Sequence, residues 1–154
     1  MDAVPDAISR DLVLPAPPER VWAALTQPDA LSAWFGSQAS VDLRPGGQIS
    51  FAWDHLDGER FTNGGVIEVV EPPRRFAFRW QAFVAPEHAA RASGLTTRVE
   101  FTLEPHPEGT RLRLVESGFS ALPPDLQRPA CDGNEAGWTR ELGELVDYLG
   151  AART

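Results

Sequence analysis

The 154-residue chain has one cysteine, one methionine, one tyrosine, three histidines and no lysine. A single cysteine, Cys131, excludes an intrachain disulfide and a zinc site built from several thiolates. The histidines, His55, His88 and His106, show neither HxH nor HExxH spacing, so neither a metal nor a cofactor is expected. There is no GxSxG, no phosphate-cradling GxGxxG and no P-loop. No apolar run reaches about 18 residues, which excludes a membrane-spanning helix. The opening MDAVPDAISRDLVL lacks the basic-then-apolar layout of a secretion signal, so a cytoplasmic location is expected. All fourteen basic residues are arginine, a mark of a GC-rich genome rather than of function. Twenty-two acidic residues leave a net charge of −8. That balance argues against nucleic acid or an anionic membrane as a partner.

The chain is long enough for one domain with a full core, and no linker or repeat divides it. Its 14 prolines and 13 glycines punctuate short segments. AISRDLVLP (7–15) reads as a first strand. Pro17 and Pro18 precede the helical pattern ERVWAALT, and Pro28 opens PDALSAWFG, closed by Gly36 as a C-cap. From residue 39 the apolar period becomes two. After the turn Pro45-Gly46-Gly47, residues Ile49, Phe51, Trp53 and His55 alternate with Ser50, Ala52 and Asp54. A strand at about 65–71, a Pro72-Pro73 turn and a strand with Phe76, Phe78 and Trp80 on one face follow. TTRVEFTLEP sets Val99, Phe101 and Leu103 against Arg98, Glu100 and Thr102. TRLRLVESGF sets Thr110, Leu112, Leu114 and Glu116 against Arg111 and Arg113. Such alternation belongs to an antiparallel sheet with one wet face. The other face needs a cover. GWTRELGELVDYLGA (137–151) supplies it, with Trp138, Leu142, Leu145, Val146 and Leu149 at helical spacing. The expected class is α+β: a curved antiparallel sheet around one C-terminal helix, with two short helices between strands 1 and 2.

PPERVWAALTQPDALSAWF, RPGGQISF, GGVIEVVEPPRRFAFRW, TRVEFTLEPHPEGTRLRLVESGF and GWTRELGELVDYL resemble, in order, the activator of heat-shock-protein-90 ATPase homologue family. That family lies in the SRPBCC superfamily, with the START/Bet v 1-like helix-grip fold. The resemblance implies one domain over 1–154, about seven strands gripping the helix, and a hydrophobic cavity between them. The superfamily includes carriers, cyclases and hydrolases, so the fold does not fix the function. The eukaryotic co-chaperone has a separate N-terminal domain that contacts the chaperone, and these residues do not provide one. Many relatives have histidine just before the SGF segment, where this chain has Glu116.

The cavity would draw on Trp34, Phe35, Phe51, Trp53, His55, Phe76, Phe78, Trp80, Phe101, Leu114, Glu116, Trp138 and Leu142. The plain alternative is that these aromatics are core. Glu116 either points inward, as a polar anchor or acid–base group, or sits wet at a strand end. Glu68 shares a side with Val66 and Val70 while Ile67 and Val69 compete for the interior. The segment 81–96 is long for a hairpin and could carry a lid helix. Cys131 falls in a loop, DLQRPACDGN, and Gly64-Gly65 read as turn glycines. Three functions stand: binding of a small hydrophobic molecule, which is favoured; a cyclase- or hydrolase-like enzyme using Glu116 or His55; and a protein-binding, co-chaperone-like module. An exposed edge strand could pair two copies as a homodimer.

Overall fold

The computed structural model describes residues 5–36, 38–54, 60–82 and 94–151. Seven strands form one antiparallel sheet in the order β1-β7-β6-β5-β4-β3-β2. These are β1 Ala7–Leu14, β2 Gln38–Val41, β3 Gln48–Asp54, β4 Arg60–Glu71, β5 Arg75–Gln81, β6 Thr96–His106 and β7 Gly109–Ser117. Strands β2 to β7 meander, and β1 pairs with β7. The two ends of the β1–β2 connection therefore lie on opposite sheet edges. Helices α1 (Pro18–Thr26) and α2 (Pro28–Trp34) carry the chain between them. Each has proline in its first turn, where a missing N–H leaves no bond unmade. Phe35 caps α2, and Gly36 follows at φ +80, the left-handed conformation that ends helices.

The inner face buries Phe76, Phe78, Val99, Phe101, Leu103, Leu112 and Leu114. The outer face carries ion pairs linked across β4, β5 and β6. Arg79 and Arg98 both donate to Glu68, at 3.1 and 2.8 Å, and Arg98 and Arg75 both donate to Glu100, at 2.6 and 2.9 Å. Pairs of this kind, exposed or half-buried on a wet face, contribute on the order of 1 kcal/mol or less each, so they secure that face rather than drive folding.

The sequence pattern leaves the facing of Glu68 open. A β-bulge between Ile67 and Val69 decides it. Ile67 pairs with Phe78 and Val70 with Phe76, so both face inward although three residues apart. The extra residue turns Glu68 out toward its arginines.

The closing helix, α3, runs from Pro124 to Ala151, 28 residues. It begins thirteen residues before the expected start at 137. Cys131 is therefore buried in a helix rather than placed in a loop. Pro123, Pro124, Pro129 and Gly133 mask the helical pattern, since interior proline forfeits a backbone bond. Burial compensates: Leu126, Ala130 and Cys131 are all within 3% of full burial. The inner stripe also differs by two residues. Val146 is 36% exposed, whereas Glu141 is buried. Gly143 is exposed, and a Cβ placed on it would meet nothing within 4 Å, so neither close packing nor cavity space explains it.

Gly64 and Gly65 lie inside β4, not in a turn. A Cβ on Gly65 would come within 1.7 Å of the Arg79 carbonyl oxygen. Only glycine lets β4 and β5 approach this closely.

Candidate functional site

Glu116 is the last inward residue of β7, on the face of Leu112 and Leu114. It is completely buried rather than wet at the rim. Its register partners are Ile8 on β1 and Val99 on β6. Burying a carboxylate is costly unless its oxygens are satisfied. Here four side chains from three elements do so. Trp138 Nε1 donates to Oε1 at 2.8 Å, and Trp80 Nε1 donates to Oε2 at 3.0 Å. The Asn134 amide donates to both oxygens, at 3.0 and 2.9 Å. The Thr97 hydroxyl donates to Oε2 at 2.6 Å. No cation is among these partners. The site is a carboxylate held by neutral donors, which fits its acceptor-only ionised form.

Local structure explains the convergence. Trp80 and Thr97 are register partners on β5 and β6. Asn134 and Trp138 stand one turn apart on α3, so their side chains leave the same helix face. Neither Asn134 nor Thr97 stands out in the sequence. Asn134 is hidden because its segment reads as a loop. Running the helical stripe back one turn from Trp138 would bring it out.

Next to this hub the aromatic residues pack on one another. Phe35 lies 6.1 Å from Trp80 at 16° between planes, and 5.7 Å from Trp138 at 17°. Trp80 and Trp138 are 5.9 Å apart at 25°. Three rings are thus nearly parallel. Phe51 and Trp53 meet Phe35 edge-on at 4.9 and 5.3 Å. Such contacts contribute about 0.5–1.5 kcal/mol each beyond area burial.

An apolar void of about 10 Å³ remains in this region, on the order of a single water. Of the residues expected to form a cavity, Trp34, Phe35, Phe51, Phe78, Phe101 and Trp138 line it, together with Leu25 and Leu31 from the short helices. Phe76, Trp80, Leu114, Glu116 and Leu142 are buried but are not among its lining residues. Trp53 is half-buried. His55 and His88, and residues 83–93 of the segment 81–96 in which a lid helix is expected, lie outside the described residues. His106 accepts the Glu108 backbone N–H in the β6–β7 turn, far along the strands from Glu116. Trp34 serves the scaffold: its indole N–H donates to the Ala24 carbonyl at 2.7 Å and ties α2 to α1.

A second buried carboxylate, Glu141, lies on α3 one turn beyond Trp138. One of its oxygens accepts from Arg140 at 3.4 Å, and the other has no partner among the described residues. Burial first, then the neighbouring Glu144 charge, push its carboxyl up to about 7. Burial also raises the Cys131 thiol, which fits an inert side chain rather than a nucleophile.

A curled antiparallel sheet around one long helix, with an aromatic interior, defines a helix-grip domain. Residues 15–150 match the model of the Activator of Hsp90 ATPase homolog 1-like protein family, and the chain belongs to it. Among solved structures it is similar to MLL2253 of Mesorhizobium loti, with 28% identity, TM-score 0.73, and 94% of this chain and 97% of that one covered. It also resembles DynU16, from the dynemicin biosynthetic locus. There identity is 28%, TM-score 0.72, and 96% of this chain aligns with 48% of that one. The AHSA1-like protein of Aeromonas hydrophila, at 23% identity, TM-score 0.70 and coverage of 95% and 93%, shares the fold. No curated protein matches. No described helix is long and apolar enough to cross a membrane.

Proposed function

We propose that the domain binds a small hydrophobic molecule between the sheet and α3, at the end where Trp80 and Trp138 meet. The observation that carries this reading is the asymmetry of the two indoles. Their N–H groups are spent on Glu116, while the Trp80 ring packs on Phe35, Phe51 and Phe78 and the Trp138 ring lines the apolar void. Pockets for small molecules are built in this way, with apolar walls and a few fixed polar groups. The void is too small for any organic ligand, so binding requires a side chain to move. Membership of a ligand-binding superfamily is consistent with that.

Glu116 supports this reading as a positioning residue. Its oxygens already receive donors from Trp80, Thr97, Asn134 and Trp138, which leaves little capacity to abstract or deliver a proton. Native mass spectrometry of the protein isolated from its own cells tests the proposal. A mass increment that is lost on denaturation, and restored by an apolar extract fraction, is the expected result. A protein that stays bare after exposure to such extracts would refute it.

A further inference from the structure

Two carboxylates are buried between α3 and the sheet, and the fold treats them differently. Glu116 receives hydrogen bonds on both oxygens from Trp80, Thr97, Asn134 and Trp138. Glu141 is 5% exposed, yet one of its oxygens has no hydrogen-bond partner among the described residues. Among those residues it is the one buried side-chain oxygen or nitrogen in that position. The other oxygen accepts from Arg140 at 3.4 Å. Arg140 is the adjacent residue and its side chain is 68% exposed, so water screens its charge. Glu144, one turn on and exposed, adds a like charge beside Glu141 and no donor.

The surroundings point to what is missing. Trp138 stands one turn before Glu141 and lines the apolar void, and Leu145 stands one turn after it, fully buried. Side chains on a helix lean toward its N-terminus, so the Glu141 carboxylate leans to the turn that carries Trp138. The exposed side chains of Arg140 and Glu144 also reach it, so it lies just beneath the surface. We propose that Glu141 is the recognition group for a primary ammonium, the polar head of the small hydrophobic molecule, with Glu144 reinforcing it from the rim. The inference rests on the proposed binding function and adds to it the chemistry of the ligand's head. An ammonium brings N–H donors and one positive charge, so it fills the empty acceptor and offsets both carboxylates at once. A hydroxyl brings a donor without the charge, and a carboxylate is repelled. Among the described residues no third acidic, histidine or cysteine side chain joins the pair, so the donor set does not amount to a metal cage. The net charge of −8 draws a cation toward the site. A carboxylate kept here at a cost to the fold, beside the apolar interior, is the mark of a binding group.

The test compares n-octylamine, n-octanol and octanoate, which share one alkyl chain length, on the full chain by titration calorimetry at pH 8. Octylamine is expected to bind saturably and at least tenfold more tightly than octanol, the scale of one charge-assisted hydrogen bond. Octanoate should bind more weakly than either. Glu141→Gln keeps the shape of the side chain and removes its charge. It should weaken octylamine at least tenfold and leave octanol within about threefold, with circular dichroism unchanged. Glu144→Gln, at an exposed position, should weaken octylamine by a smaller factor. Equal affinity for octylamine and octanol overturns the inference while leaving a hydrophobic-ligand site standing; a proton shared between Glu141 and Glu144 then satisfies the pair. An amine preference that survives Glu141→Gln also overturns it, since that is only attraction to an acidic surface. So does methylammonium binding as tightly as octylamine, because the site then takes a cation with no apolar body. Failure of all these probes and of every apolar extract removes the two readings together.

Discussion

Glu116→Gln tests the buried hub most sharply, because it changes one atom and almost no volume. A glutamine offers one acceptor oxygen and one donor nitrogen. If the amide nitrogen takes the place of Oε1, it faces the Trp138 indole N–H and the Asn134 amide. If it takes the place of Oε2, it faces the Trp80 indole N–H. The Thr97 hydroxyl can rotate to accept, but neither indole can. Either orientation sets donor against donor in a site with no exposure. A buried unsatisfied donor costs about 1–3 kcal/mol, and the remaining bonds lose their charge assistance, roughly another 1 kcal/mol. The expected loss is therefore about 3 kcal/mol in urea unfolding, or roughly 6–12 °C in Tm for a domain of this size. The double variants sharpen the reading. Adding Trp80→Phe or Trp138→Phe removes one of the conflicting N–H groups, so one of the two should couple favourably with Glu116→Gln by about 1 kcal/mol or more. A Glu116→Gln loss below about 0.5 kcal/mol, or strict additivity in both cycles, would refute the account of the hub.

Glu141 gives a pH dependence of definite sign. Its folded-state pKa of about 7 lies above the ordinary 4.5, so folding retains a proton that the unfolded chain releases. That stability is fully present below about pH 4.5 and is lost as pH rises to about 7, at most about 3 kcal/mol at 1.36 kcal/mol per unit. Glu141→Gln should therefore be more stable than the natural chain at pH 8 and equal to it near pH 4; a difference that is constant across pH counts against the assignment. Gly65→Ala should cost more than about 3 kcal/mol or prevent folding, since its Cβ would meet the Arg79 carbonyl at 1.7 Å; soluble expression with unchanged circular dichroism and Tm would contradict that. Trp34→Phe removes one donor to the Ala24 carbonyl and should lower stability by about 1–2 kcal/mol in chemical denaturation. Glu68→Ala strips two surface arginines of a partner yet should cost under about 1 kcal/mol.

How far the sequence disclosed all this depends on the kind of signal. Alternation in β5, β6 and β7 was legible because one face is apolar and the other ionic, so Phe76, Phe78, Val99, Phe101, Leu112 and Leu114 all face in as the period of two requires. A bulge adds a residue without changing composition, so Glu68 could not be placed from its neighbours alone. Glycine carries the same letter whether it makes a turn, as Gly46 does at φ +83, or admits a neighbouring strand, as Gly65 does. The first half of α3 was masked because Pro129 and Gly133 oppose helix locally while burial of Leu126, Ala130 and Cys131 outweighs them. With that half went Asn134, and with Asn134 the sign that Glu116 has partners. The inward position of Glu116 could be read; its satisfaction could not, because it depends on residues of β5, β6 and α3 that lie up to 36 positions from it in the chain.

That separation also explains what the hub does for the fold. Apolar packing between α3 and the sheet is non-directional, and similar burial would survive a small slide or rotation of the helix. The bonds to Glu116 would not survive it. One residue of slip along α3 moves its side chains by about 1.5 Å and turns them by about 100°, which withdraws Asn134 and Trp138 from the carboxylate together. Two donors would be lost, and the buried charge would keep only Trp80 and Thr97. A slipped helix is thus penalised by several kcal/mol even where its hydrophobic burial is unchanged. The carboxylate sets the register of α3 on the sheet, and the same two indole N–H bonds that set it also hold the rings of Trp80 and Trp138 parallel beside Phe35. Helix register and the packing of these aromatic rings are one constraint, so a variant that frees the first should also disorder the second.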